Sequence, residues 1–318
     1  MTHTLTRRRL VQLMAASTVA GAGSRFAGSR FAGKIVAQAA DLVVLSVTAG
    51  PIPTTTAVPE VGTTEGDSAG APSTGSLAVR VLVQSIDVTT GQVQTVPTPQ
   101  ALPHGAPVLN SIEAVTGFTT LADSTIVLAI TPVSGSKYET APTRLTLLRT
   151  PPMVLTVSGL AKGEELESVV ADTEGGLLGL VTRKNGRPPA RLATIDLVTG
   201  AISTVNRIHL PATWPFRSLT QCHDGTLYTT AVEKYGGTML AHLDLGQKTP
   251  LALVRLTVGG MAWNNGLESL VCSRAGQLLA FGAPRYVTPN ALYAVDRGSG
   301  AMTKLRTVDS AKVALSRA

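Results

Sequence analysis

A ten-residue pattern that returns at a spacing of about fifty residues constrains this chain more than any other feature. It appears as Ser168-Val-Val-Ala-Asp-Thr-Glu-Gly-Gly-Leu177, Ser218-Leu-Thr-Gln-Cys-His-Asp-Gly-Thr-Leu227 and Ser269-Leu-Val-Cys-Ser-Arg-Ala-Gly-Gln-Leu278. A shorter copy, Thr120-Leu-Ala-Asp-Ser-Thr-Ile126, precedes them. Each copy runs from a short apolar stretch into a polar turn. Apolar runs bounded by Gly, Asp and Ser read as strands, and one full unit places them at 167–171, 177–182, 191–196 and 201–207. A small sheet of this kind cannot bury both faces alone. Copies must therefore stack around an axis, which is the architecture of a β-propeller.

The chain ends complete the count. Residues 42–47, 77–87 and 92–96 supply three strands of a first blade, and Lys312-Val-Ala-Leu-Ser316 supplies its missing inner strand. The expectation is an all-β, five-bladed β-propeller over residues 40–318. It has four antiparallel strands per blade, and the C-terminal strand closes the first blade so that no sheet edge is left open. The segment 51–76 is rich in Pro, Thr, Gly and Ser and reads as a low-complexity loop inserted in blade 1.

Asp87-Val-Thr-Thr-Gly91, Asp196-Leu-Val-Thr-Gly200 and Asp296-Arg-Gly-Ser-Gly300 recur between the last two strands of their blades. An Asp that accepts from its own turn, followed by a Gly able to take positive φ, makes a tight hairpin. Too few oxygen ligands gather in each turn for calcium. With Leu292-Tyr293-Ala294-Val295-Asp296 and Ser299-Gly300 in view, the chain resembles the broad bacterial β-propeller superfamily built on Leu-Tyr-x-x-Asp-x-x-Thr-Gly repeats. The resemblance implies architecture and no particular activity.

Residues 1–39 read as an export signal. Thr6-Arg7-Arg8-Arg9-Leu10-Val11 resembles the twin-arginine (Tat) pattern, a weakly apolar stretch follows, and Ala37-Gln38-Ala39 is a small-residue cleavage site. The apolar stretch is too short to span a bilayer. This predicts an exported protein, periplasmic or extracellular, that meets the export machinery through its leader and is not inserted in the membrane after cleavage. The leader holds six Lys and Arg and no acid, so its removal takes the formal charge from +7 to +1. A nearly neutral domain lacks the basic face that nucleic-acid binding requires.

Several familiar motifs lack their context. Gly28-Ser-Arg-Phe-Ala-Gly33-Lys34 has phosphate-loop spacing, but Ile35 follows where a hydroxyl should hold magnesium. Gly66-Asp67-Ser68-Ala69-Gly70 spells a nucleophile elbow in a stretch with no helical pattern. His104, His209, His223 and His242 show no metal-ligand spacing. No metal and no cofactor is expected. Cys222 and Cys272 sit one position out of register in neighbouring repeats, which puts their side chains on opposite sheet faces, and two free buried thiols are predicted.

The connections from strand two to strand three carry Lys137-Tyr138, Lys184-Asn185, Lys234-Tyr235 and Arg285-Tyr286, while Trp214 and Trp263 lie in successive blade-to-blade connectors. These loops emerge on one rim. Cations and aromatic faces there suit a small anionic or sugar-like ligand, or a protein partner. The alternative is that the aromatic rings fill wedges between blades. Nearer the axis, Glu167, Arg217 and Glu268 begin the inner strands of three consecutive blades. Glu167 and Glu268 would be the acid and base of a propeller hydrolase or lyase acting on a sugar or lactone, yet the intervening Arg217 favours a Glu–Arg–Glu ladder. Incomplete catalytic chemistry and rim residues that repeat around the ring favour a binding protein over an enzyme.

Overall fold

The computed structural model describes residues 43–51, 79–96, 108–109, 113–132, 142–205, 210–211, 213–233, 236–244, 252–285 and 288–316. The leader and most of the 51–76 segment lie outside these residues. Described residues form five sheets, antiparallel except where Thr257–Val258 pairs parallel to Ala301–Thr307, and a single 3-10 turn, Lys184–Gly186.

From axis to rim, blade 1 comprises Lys312–Leu315, Val43–Pro51, Val79–Asp87 and Val93–Thr95, with Val108–Leu109 also paired to its third strand. Blade 2 comprises Glu113–Thr120, Ile126–Pro132, Arg144–Leu148 and Met153–Thr156. Blade 3 runs Glu164–Ala171, Leu177–Arg183, Arg187–Ile195 and Ile202–Thr204, and blade 4 runs Phe216–Gln221, Leu227–Val232, Thr238–Leu243 and Ala252–Arg255. Blade 5 is Ser269–Cys272, Leu278–Gly282, Ala291–Val295 and Ala301–Thr307, extended at its rim by a hairpin of Thr257–Val258 and Met261–Ala262. The five-bladed expectation holds. The last strand does close the first blade, with Val44 opposite Leu315 and Val47 opposite Lys312.

The core divides by blade boundary. Blades pack face to face, so alternate side chains of one strand serve two boundaries. Val44 packs with blade 5 residues such as Phe281, whereas its neighbour Leu45 packs with blade 2 residues such as Leu128. Inner strands buried on both faces explain the near-continuous apolar runs in the sequence. A fully buried Leu such as Leu128 contributes roughly 1.5–3 kcal/mol.

The serine that opens each repeat latches one blade to the next. Ser168 Oγ accepts from the Leu219 amide at 3.0 Å, and Ser269 Oγ accepts from the Val313 amide at 3.0 Å. Ser218 Oγ donates to the Leu267 carbonyl at 2.8 Å. Further out, the Asp-x-x-x-Gly turns do more than reverse the chain. Asp196 Oδ1 accepts from the Val198 and Thr199 amides, and Gly200 stands at φ +73°. A Cβ on Gly200 would come 2.3 Å from the Thr156 carbonyl of blade 2, and one on Gly300 would come 2.2 Å from the Arg255 carbonyl of blade 4. These two turns accept a bond from the chain that leads into their blade, Ser158 N to Gly200 O and Thr257 N to Gly300 O, both at 3.0 Å. Glycine is therefore required twice, for its φ and for this approach.

The free-thiol expectation fails. Cys222 and Cys272 form a disulfide between blades 4 and 5. Both belong to the apolar cluster that fills this boundary. Opposite sheet faces, taken as an argument against pairing, are the condition for it here. The forward face of one blade meets the backward face of the next.

Candidate functional site

The inner strands begin on the rim that also carries the strand two-to-three connections; the Lys184 amide donates to the Gly163 carbonyl at 2.9 Å, bringing the 3-10 turn beside the start of blade 3's inner strand. Around this mouth the chain places Thr116, Glu167, Arg217, Glu268 and Lys312, one from each blade. Thr116 and Glu167 are the extra residues of β-bulges, lying between the paired positions 115 and 117 and between 166 and 168. In blade 4 the ladder is interrupted directly after Arg217. Bulges re-aim a side chain that a regular strand would commit to one sheet face.

Arg217 is the most elaborately held of these residues. Ser218, next to it, adopts φ +50°, an uncommon left-handed position for a non-glycine residue. The Arg217 carbonyl accepts from two hydroxyls, Thr229 Oγ1 at 2.9 Å and Thr230 Oγ1 at 2.8 Å. The guanidinium lies against Gly186 and Gly266. A Cβ on either would come 3.1 Å from Arg217 Nε or 3.3 Å from Nη1, respectively. Gly186 is itself fixed at φ +66°, its amide donating at 3.2 Å to Oε1 of the buried Glu165.

Charges alternate around the mouth. Arg217 Nε stands 3.9 Å from Glu167 Oε1, and Lys312 Nζ stands 3.9 Å from Glu268 Oε2 while donating to the Glu268 carbonyl at 2.7 Å. Of the predicted Glu–Arg–Glu ladder, Glu167 pairs with Arg217, whereas Glu268 pairs with Lys312 of blade 1. Side-chain exposure singles out two members: Arg217 at 40% and Glu268 at 38%, against 16% for Glu167 and 15% for Lys312.

A second tier braces the mouth from within the blades. Arg144 bonds Glu113 at 2.8 Å, Arg191 bonds Glu164 at 2.7 Å and Arg255 bonds Glu233 at 2.6 Å. The Arg191 hydrogen bonds hold the Glu164 carboxyl below its ordinary value against a smaller opposing effect of burial.

Of the predicted rim residues, Trp263 is buried at 2% exposure, its ring edge-on to Tyr293 at 5.2 Å. It fills the wedge between blades 4 and 5, so it is withdrawn as a ligand-facing aromatic. Trp214 is half-buried against the core between blades 3 and 4. Lys184 lies in the 3-10 turn, and Arg285 is exposed in its connection. Lys137, Tyr138, Lys234, Tyr235 and Tyr286 lie outside the described residues. Below the mouth, the five inner strands enclose an axial cavity of about 40 Å³, lined in part by Thr120, Val170, Thr220, Val271 and Ala314. The Thr120 hydroxyl has no protein hydrogen-bond partner. Such a space is far below the few hundred Å³ of ordinary ligand pockets. Among the described residues, no group of three or more His, Cys, Asp or Glu could hold a metal ion.

No protein-family model and no curated protein sequence matches the chain. Solved structures do. A protein of unknown function from Dyadobacter fermentans aligns over 77% of this chain and 75% of its own, at 10% identity and a TM-score of 0.50. The calcium-binding protein regucalcin from Agrobacterium tumefaciens aligns over 73% and 71%, at 13% identity and 0.40, and a streptogramin B lyase over 74% and 67%, at 11% identity and 0.38. Regucalcin and the lyase are β-propeller proteins. At such identities the likeness concerns the fold alone, and it does not separate a binding protein from an enzyme.

Proposed function

We propose that this protein is an exported binding propeller that takes a small anionic or sugar-like ligand, or a segment of a protein partner, across its charged mouth. The observation that carries the reading is the treatment of Arg217. A left-handed serine, two hydroxyls on its carbonyl and two glycines beside its guanidinium hold a cation that stays 40% exposed. Backbone strain and bulges gather at working sites, and a solvated surface arginine needs none of this support. The connector cations Lys137, Lys184, Lys234 and Arg285, with Tyr138, Tyr235 and Tyr286, would line the outer rim. Export is supported by the signal-like leader and by the disulfide, since such bonds persist in oxidising compartments.

The second reading is a hydrolase or lyase working through Glu167 and Glu268. It draws on the mouth's departure from repeat symmetry, for the five blades offer Thr, Glu, Arg, Glu and Lys there. Against it, each carboxylate is already paired with a cation, Glu167 with Arg217 and Glu268 with Lys312. A thermal-shift screen of glycans and small anions separates the two. Stabilisation that disappears in Arg217→Met, and weakens in Tyr235→Ala or Tyr286→Ala, is the expected result. Turnover of a hit, lost in Glu268→Gln, would replace this reading with the enzyme.

A further inference from the structure

We infer that the Cys222–Cys272 bond is a redox switch, opened and closed by thiol–disulfide exchange within the folded propeller, with Arg297 holding the freed sulfur as a thiolate. The inference does not rest on the binding reading above. The bond lies where the inner strands of blades 4 and 5 end, directly before two turns in which His223, Asp224, Arg274 and Ala275 are exposed. Arg297, from the turn between the last two strands of blade 5, reaches both sulfurs. Its Nη2 stands 3.3 Å from Cys222 Sγ and 3.4 Å from Cys272 Sγ. Other contacts fix it there. Nη2 donates to the Gly276 carbonyl, while Nη1 donates to the Tyr228 hydroxyl at 3.4 Å and stands 3.9 Å from Asp224 Oδ2.

A neutral disulfide gives this cation little. Its sulfurs are weak acceptors, and a guanidinium gives up hydration to approach them. A thiolate at either position takes a charge-assisted bond instead, and a neighbouring arginine favours the thiolate form. The near-equal distances let either sulfur leave toward the same nitrogen. The Arg297 side chain is 30% exposed, so swinging one arginine opens the way to the bond without parting two blades. A dithiol reductant completes the step. Its thiolate attacks one sulfur, the S–S bond breaks as a mixed disulfide forms, and the other cysteine leaves as a thiolate beside Arg297. The second thiol of the reductant then frees the first cysteine and closes the reductant's own disulfide. Two electrons pass to the protein, one proton goes to the first cysteine and one to solvent. Small disulfides run the sequence backwards. Opening removes the covalent link while the apolar cluster around it keeps the two blades packed.

Two measurements on the full chain, whose only cysteines are these two, test the switch. The first follows reduction by dithiothreitol in denaturant well below the unfolding midpoint. Exchange in the folded state should proceed at a rate that hardly changes with denaturant, and the reduced protein should keep its folded circular dichroism. A rate that climbs with the full slope of global unfolding, or a reduced protein that has lost its fold, would overturn the inference. The second equilibrates wild type, Arg297→Met and Arg297→Lys with mixtures of reduced and oxidised dithiothreitol. Arg297→Met should shift the balance toward the disulfide by about tenfold, the least that a cationic neighbour does to a thiol–thiolate balance, and Arg297→Lys should restore it. Reduced wild type should also show thiolate ultraviolet absorbance at a pH where reduced Arg297→Met shows none. Equal balances and equal absorbance in wild type and Arg297→Met would leave Arg297 as packing and sink the switch. The first measurement needs no variant, so it stands even where Arg297→Met fails to fold.

Discussion

The inner strands of blades 4 and 5 are treated in opposite ways at their two ends. At the mouth, Arg217 and Glu268 are partly exposed and their ion pairs are held at 3.9 Å. At the far end, about five residues along at the strand rise, Cys222 and Cys272 are joined covalently and buried at 1% and 5%. Arg297 covers that bond. Its Nη2 lies 3.3 and 3.4 Å from the two sulfurs and donates to the Gly276 carbonyl, and the guanidinium lies 5.2 Å from the centre of the Tyr228 ring. Tyr228 in turn stacks on His242. One end is clamped by packing and covalency, while the other presents charge to solvent on a braced backbone. On the function proposed above, stability belongs to the clamped end and recognition to the mouth.

The largest test of this contrast removes the clamp. The double variant Cys222→Ser with Cys272→Ser should lose about 2–4 kcal/mol of stability, read as a fall in denaturant midpoint, because the bond spans 50 residues of chain. An unchanged midpoint would show that packing alone holds the boundary. Next comes a boundary with no disulfide. Gly200→Val should cost about 2–3 kcal/mol, combining left-handed strain with collision against the Thr156 carbonyl. If Gly200→Val is harmless, the backbone stitch between blades 2 and 3 is not structural.

The seam where the ring closes uses a third device. Arg306 Nε and Nη2 donate to the Val88 and Thr89 carbonyls at 3.2 and 2.9 Å, clasping the first turn of blade 1 from blade 5. Arg306→Met should cost about 1–2 kcal/mol, seen as faster hydrogen exchange in 312–315. The smallest effect belongs to the mouth's second tier. Glu164 has a folded-state pKa below its unfolded value, so its contribution is present above that value and lost as pH falls through the folded one. Acid titration below pH 4.5 should therefore cost wild type up to about 1 kcal/mol that Glu164→Gln does not lose, measured as the difference between their melting curves.

The ring and its closure are legible in the sequence because both depend on periodic apolar burial and on Asp-x-x-x-Gly turns. Residue-level departures are not. Lys312 was missed because its strand carries no following copy of the repeat, so no aligned charge pointed to it. Trp263 reads as a rim aromatic from its connector position, yet the boundary between blades 4 and 5 needs a large wedge and takes it. The cysteines were misjudged by applying the face rule within one sheet instead of across two. The bulges at Thr116 and Glu167 insert single residues that a repeat alignment absorbs as drift, while Thr229-Thr230 was a visible pair whose partner, a carbonyl freed by the Arg217 irregularity, only the fold supplies.

A crossed thermal-shift experiment puts the division of labour to the most direct test. Arg217→Met and the double cysteine variant are each melted with and without the glycans and small anions named above. Arg217→Met should melt close to wild type, within about 1 kcal/mol, and lose the ligand-induced increment. The cysteine variant should melt well below wild type and keep it. A cysteine variant that loses the increment, or an Arg217→Met protein that unfolds early yet still gains it, would contradict the account.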